Sequence, residues 1–179
     1  IFPPKLSPTF TTCVSNRATA VKEPLQIILS EAALAEIGRH AVDTFPDECC
    51  GVVLDHGKRD EVRRLENIQN RLHALDPETY PRLATIAYAM DPKELEAVLE
   101  RAAASGARIK AFYHSHPNHE AYFSAEDKAF AMPFGEPTFP DAAQIVVSIY
   151  DAVVKRVAAY AWDGERQDFV EATLRNSPR

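Results

Sequence analysis

Residues 108–117 read RIKAFYHSHP, and this stretch constrains the chain more than any other. It has the character of a β-strand, in which alternate side chains share a face, so His114 and His116 point the same way. Pro117 then ends the strand and frees the chain to turn. Two imidazoles on one face at a strand end make half of a tetrahedral zinc site. An H-x-H pair also suits half-buried histidines that serve only as hydrogen-bonding groups. A third ligand decides between these readings.

LQIIL (25–29), bounded by Pro24 and Ser30, reads as a first strand. Ser30 can cap a helix that carries Leu34, Ile37, Ala41 and Phe45 on one face, and Pro46 stops it. CGVVL (50–54) reads as a buried strand, turned by DHGKRD into an antiparallel partner, EVRRLENI (61–68). Residues 69–82 are polar and read as irregular, while TIAYAM (85–90) has strand character. Asp91, Pro92 and Glu94 supply a cap, a first-turn proline and a capping-box acid for a helix that stops near Gly106. SAEDKAFAM (124–132) reads as a short helix, and 143–162 as two more strands before an Asp163-Gly164 turn. This order fits one α/β (α+β) domain, a mixed sheet with helices packed against it. The expected division is a flexible arm over 1–24, the domain over 25–172 and a tail over 173–179. The arm holds four prolines and no apolar period, and its three basic residues, Lys5, Arg17 and Lys22, fall short of a transit peptide.

Ser124 and Asp127 have a complete structural explanation, because S-x-x-D before a helical run is a capping box. Yet a chain that turns after Pro117 and enters a helix at Ser124 can also return Asp127 to the two histidines. Two neutral imidazoles and a carboxylate leave a fourth position for water, the pattern of a catalytic zinc site. Glu48, between the helix stop at Pro46 and the strand at Cys50, is by itself an ordinary loop acid. Cys49 and Cys50 are adjacent and belong to no C-x-x-C, so a disulfide framework is not expected and a reducing, cytoplasmic compartment is. His119 either contacts substrate or is solvated on the 117–123 loop. The net charge of −6 disfavours a nucleic-acid partner, and no apolar run approaches the ~20 residues of a membrane span.

Glu48, His114-Ser115-His116-Pro117 and Ser124-Ala125-Glu126-Asp127 together resemble the motif of the JAB1/MPN/Mov34 (JAMM) metalloproteases. Seven residues separate His116 from Ser124, as in that family, and the likeness to its small prokaryotic members runs over roughly 25–170. The resemblance implies an MPN-type, cytidine-deaminase-like architecture and a zinc ion on His114, His116 and Asp127. It further implies Glu48 as proton carrier and the Ser124 hydroxyl as oxyanion donor, a task that competes with helix capping. Such enzymes cut after the C-terminal Gly-Gly of ubiquitin-like or sulfur-carrier β-grasp proteins. Residues 67–84 are then a plausible edge for binding the substrate tail by strand addition. The alternative is a non-catalytic MPN scaffold, whose members have usually lost motif residues.

Overall fold

The computed structural model describes residues 24–177; the expected arm, apart from Pro24, lies outside them. Seven strands form one mixed sheet in the order β1-β7-β6-β5-β4-β2-β3. They are β1 (Gln26–Ser30), β2 (Cys50–Asp55), β3 (Asp60–Leu65), β4 (Arg108–Pro117), β5 (Ala143–Tyr150), β6 (Val153–Asp163) and β7 (Asp168–Ser177). The pairs β1–β7 and β4–β5 are parallel and the others antiparallel. The helices are α1 (Glu31–Thr44), α2 (Gln69–Leu75), α3 (Pro92–Ser105) and α4 (Ala125–Ala131).

Strand alternation divides the core into two layers. Ala111 and Tyr113 of β4 face α1 and pack with Ile37, Ala41, Ile145 and Val147. Phe112 faces the other way and packs with Val98 and Ala102 of α3, beside Val52 and Met90. His114 and His116 share the face of Phe112, so the histidines lie on the α3–α4 side of the sheet. Ser30 caps α1 by accepting from the amide of Ala33 at 3.2 Å, and the Asp91 carboxylate caps α3 by accepting from Lys93 and Glu94. Gly106 ends α3 at φ 71°, the left-handed conformation glycine adopts without strain.

Four expectations change. TIAYAM is no strand, since its one ladder contact is an isolated bridge between Asn67 and Met90. The Asn67 carboxamide takes the place of a neighbouring strand, accepting from the Ala89 amide at 3.0 Å and donating to the Ala87 carbonyl at 3.1 Å. The same carboxamide oxygen accepts from the Gln69 amide at 3.0 Å and starts α2 within the stretch read as irregular. With α2 and its following turns occupying 69–80, most of 67–84 is not extended chain, and the sheet's edge strands are β1 and β3. Finally, β7 has no counterpart among the expected strands. Residues 173–177 are no tail but the parallel partner of β1, and the domain boundary moves accordingly.

Gly51 of β2 is required by a close approach. A Cβ there would collide with the Arg63 carbonyl oxygen and the Tyr113 hydroxyl, which is held by a 2.9 Å hydrogen bond to Nδ1 of His40. Gly38 in α1 has only Val154 Cγ2 nearby, at 3.8 Å. Gly51→Ala is therefore expected to cost about 1–3 kcal/mol or more through overpacking. Gly38→Ala is expected to stabilise by about 0.5–1 kcal/mol through helix propensity. Urea unfolding midpoints check both signs, and equal effects at the two sites contradict the packing account.

Candidate metal centre

Strand β4 runs between β2 and β5, with His114 opposite Cys50 on one side and Val146 on the other. This central position buries both imidazoles, leaving His114 1% and His116 7% exposed. Beyond Pro117 the chain turns at Asn118, φ 58°, whose amide donates to the Ile149 carbonyl. The loop is then tied down: the Ser148 hydroxyl donates to the His119 carbonyl at 2.7 Å and the Tyr160 hydroxyl to the Ala121 carbonyl at 2.8 Å. Ala121 and Phe123 are buried against Val146, Ala158 and Phe169. A rigid loop thus delivers Ser124 to the start of α4.

The capping box is formed in full. Ser124 Oγ accepts from the Asp127 amide at 3.1 Å, and Asp127 Oδ2 accepts from the Ser124 amide at 2.8 Å. The same carboxylate meets the histidines, with Oδ1 3.4 Å from His114 Nε2 and Oδ2 3.7 Å from His116 Nε2. The two Nε2 atoms are 3.0 Å apart. A tetrahedral ion with bonds of 2.0–2.1 Å places its ligand atoms about 3.3 Å from one another, close to these separations. His116 Nδ1 donates to the Glu120 carbonyl at 2.9 Å, which in the neutral ring leaves the Nε2 lone pair for a metal. The donor set fits a divalent ion of zinc's preferences, and capping and metal-holding prove compatible uses of Asp127.

Titration follows the same contacts. Burial opposes the Asp127 carboxylate, but hydrogen bonds to His114 and His116 outweigh it and hold the group well below its usual range. Burial pushes His114 down, whereas for His116 the opposing burial is outweighed by Asp127, the Glu120 carbonyl and Glu48, and it moves up.

Glu48 is placed by backbone clamps. The Ser115 hydroxyl, between the two histidines, accepts from the Cys49 amide at 2.8 Å, and the Ser115 amide donates to the Cys49 carbonyl at 3.1 Å. Glu48 itself donates its amide to Ala84 and accepts at its carbonyl from Asn67. Its side chain is 6% exposed, makes no hydrogen bond among the described residues, and lines a cleft of about 330 Å³ with His116, Ser124 and Asp127. Burial raises its pKa to about 8, with the Asp127 charge adding and His116 opposing. The neighbouring thiols are buried and free, and burial pushes Cys49 up to about 12, so neither offers a thiolate at neutral pH.

Residues not anticipated from the sequence form the cleft walls. Tyr88 stacks on His114 with ring centroids 4.5 Å apart, and Tyr122 packs on His116 at 5.0 Å. Arg82 donates to Glu126 at 2.7 Å, an exposed pair between the two walls. Tyr88 and Arg82 lie in the segment read as strand and irregular chain, which concealed their position. His119 is exposed and lines the cleft, so its solvation and its access to the site are not alternatives.

A buried His-His-Asp group that could hold a metal ion, with a glutamate nearby that has no hydrogen bond among the described residues, sits on the mixed sheet of a single α+β domain. The model of prokaryotic homologs of the JAB domain matches residues 30–163, and the chain belongs to that family. Among curated proteins, none matches. The fold is similar to the solution structure of a protein from Desulfitobacterium hafniense, at 20% identity and TM-score 0.61, covering 86% of this chain and 94% of that one. It is also similar to a protein from Salinibacter ruber, at 23% identity and TM-score 0.54, covering 84% and 92%. A JAB1/MPN domain protein from Archaeoglobus fulgidus matches at 18% identity and TM-score 0.45, covering 84% and 99%. No helix among the described residues is long and apolar enough to cross a membrane.

Glu48 makes the metal-free protein sensitive to pH. Its carboxyl moves from 4.5 to about 8 on folding, so between those values the folded chain keeps a proton that the unfolded chain has lost. Stability contributed by this group therefore falls as pH rises through that window. Urea midpoints of metal-free wild type and Glu48→Gln are expected to diverge in favour of the glutamine variant between about pH 5 and pH 8. A difference that does not change with pH contradicts the placement of Glu48.

Proposed function

We propose that the chain is a zinc-dependent peptidase or isopeptidase that hydrolyses the bond after the C-terminal Gly-Gly of a ubiquitin-like or sulfur-carrier β-grasp protein. The observation that carries this reading is the buried Glu48 carboxyl, without a hydrogen-bond partner among the described residues, facing the same cleft as His116 and Asp127, which form one ligand group with His114. A structural site would close around its metal, whereas these three ligands leave the cleft side open, as catalytic sites do. Zinc, when held by the three residues, supplies a Lewis acid that brings a water's pKa toward neutrality.

The residues of the chain carry the proton and position the substrate. A carboxylate oxygen of Glu48 accepts the proton from the attacking water and returns it to the nitrogen of the leaving amine. Ser124 Oγ accepts from the Asp127 amide in the cap, and its hydroxyl also meets the Asp127 carboxylate, helping to hold it ionised. Rotated away from Asp127, that hydrogen is donated to the carbonyl oxygen of the scissile bond as negative charge develops there. Helix capping and oxyanion donation thus use different sides of one hydroxyl. Tyr88 and Tyr122 cover the imidazole faces and restrict water around the reacting atoms. An extended diglycine, without side chains, suits approach between such aromatic walls.

The scaffold alternative is separated from this one by turnover with metal bound. Zinc-loaded protein incubated with β-grasp proteins extended beyond Gly-Gly is expected to release the extension, read by mass. Glu48→Gln is expected to keep zinc and fold and to lose about 10²–10⁴-fold in kcat. Ser124→Asn preserves a capping residue without a hydroxyl, so it should melt near the parent yet lose about 10²–10³-fold. Full activity in a stable Ser124→Asn protein reduces Ser124 to a helix cap, and zinc binding without turnover by wild type on any such substrate favours the scaffold.

A further inference from the structure

Beside the metal cleft lies a second cavity of about 200 Å³. Phe112 and Gln144 are register partners on β4 and β5, one step along the sheet face from His114 and Val146. Two residues of strand span roughly 7 Å, so this cavity lies about one side chain's reach from the imidazoles. Met90, Leu95, Phe112 and Phe169 line it, and Tyr88 and Phe130 line both spaces. Phe130 is 61% exposed and forms part of the lip between them.

Gln144 is out of keeping with these walls. It is 6% exposed, lines the cavity, and makes no hydrogen bond among the described residues. A carboxamide has two donor hydrogens and an acceptor oxygen, and leaving them unmatched in an apolar surrounding costs free energy. The Tyr88 hydroxyl, on a residue lining the same space, also lacks a hydrogen bond among the described residues. A cavity with aromatic and aliphatic walls and a few unmatched polar groups has the make-up of a ligand pocket. Its size suits one six-membered ring, and its polar groups suit a substituent that both donates and accepts.

We propose that this cavity receives the side chain of the substrate residue on the leaving-amine side of the scissile bond. It selects an aromatic ring bearing a hydroxyl, tyrosine above phenylalanine and both above alanine. The assignment rests on the peptidase reading, since diglycine on the acyl side has no side chain to place and the occupant must come from the other side. Cleavage of a linear Gly-Gly-Tyr peptide bond follows as the preferred reaction. The Gln144 carboxamide meets the phenol hydroxyl, and the ring fills the space beside Phe112.

Two measurements on the full chain test this, one of them without catalysis. p-Cresol, followed by the backbone amide signals of Phe112 and of position 144 in a ¹⁵N-labelled sample, is expected to bind about tenfold more tightly than toluene, the worth of about one net hydrogen bond. In Gln144→Leu, which keeps the volume and removes the polar groups, that preference should vanish. Hydrolysis of β-grasp proteins ending in Gly-Gly-Tyr, Gly-Gly-Phe and Gly-Gly-Ala should show kcat/KM falling in that order, and Gln144→Leu should bring tyrosine to or below phenylalanine. No p-cresol response at Gln144, or a tyrosine preference that survives Gln144→Leu, overturns the proposal. If all three substrates are cleaved alike, the peptidase reading stands and the subsite is lost. If p-cresol binds at Gln144 but no substrate is cleaved, the peptidase reading fails and takes the leaving-group assignment with it.

Discussion

The Asp127 carboxylate joins two structures that would otherwise be independent. Through Oδ2 it accepts from the Ser124 amide and closes the first turn of α4, and both its oxygens approach the Nε2 atoms of His114 and His116. Helix α4 has only seven residues, so its start depends on this cap and on the anchored loop before it. The three candidate metal ligands are consequently brought together by a local backbone rule, the satisfaction of free amides at a helix N-terminus. Disturbing the cap disturbs the ligand set.

The central sheet supplies the complementary constraint. Ser115 points to the opposite face from its two histidine neighbours, where its hydroxyl accepts from the Cys49 amide and fixes the residue after Glu48. Asn67 adds a second tie, holding the Glu48 carbonyl and the strand-like segment that carries Tyr88 over His114. Glu48 thus faces the cleft because its backbone is clamped, while its carboxyl is left without a hydrogen bond among the described residues. The same pattern of firm backbone and unmatched side chain recurs at Gln144 in the neighbouring cavity.

The grouping of His114, His116 and Asp127 was legible in the sequence because strand alternation and helix capping are local rules with little freedom. A period of two placed His114 and His116 together, and S-x-x-D placed Ser124 and Asp127 at a helix start, so only the return of one to the other awaited the fold. Glu48 carried no local signal and was found through the resemblance alone. Tyr88, Arg82 and Asn67 were hidden for a different reason: a single side-chain amide, that of Asn67, replaces a strand partner and nucleates α2, which no pattern of hydrophobicity encodes. β7 escaped because its burial is intermittent, and its place is fixed by pairing with β6 and with β1 at the far end of the chain.

X-ray absorption at the zinc edge, on protein loaded with one equivalent of zinc, tests the central claim most directly. The account predicts a four-coordinate ion with two imidazole nitrogens and two oxygens, one from Asp127 and one from water, at about 2.0–2.2 Å. It also predicts that this imidazole signature is lost in His116→Ala. A sulfur shell near 2.3 Å would place the metal on one of the three cysteines, and an imidazole signature unchanged by His116→Ala would place it elsewhere. Either result contradicts a metal centre built by β4 and the capping box of α4.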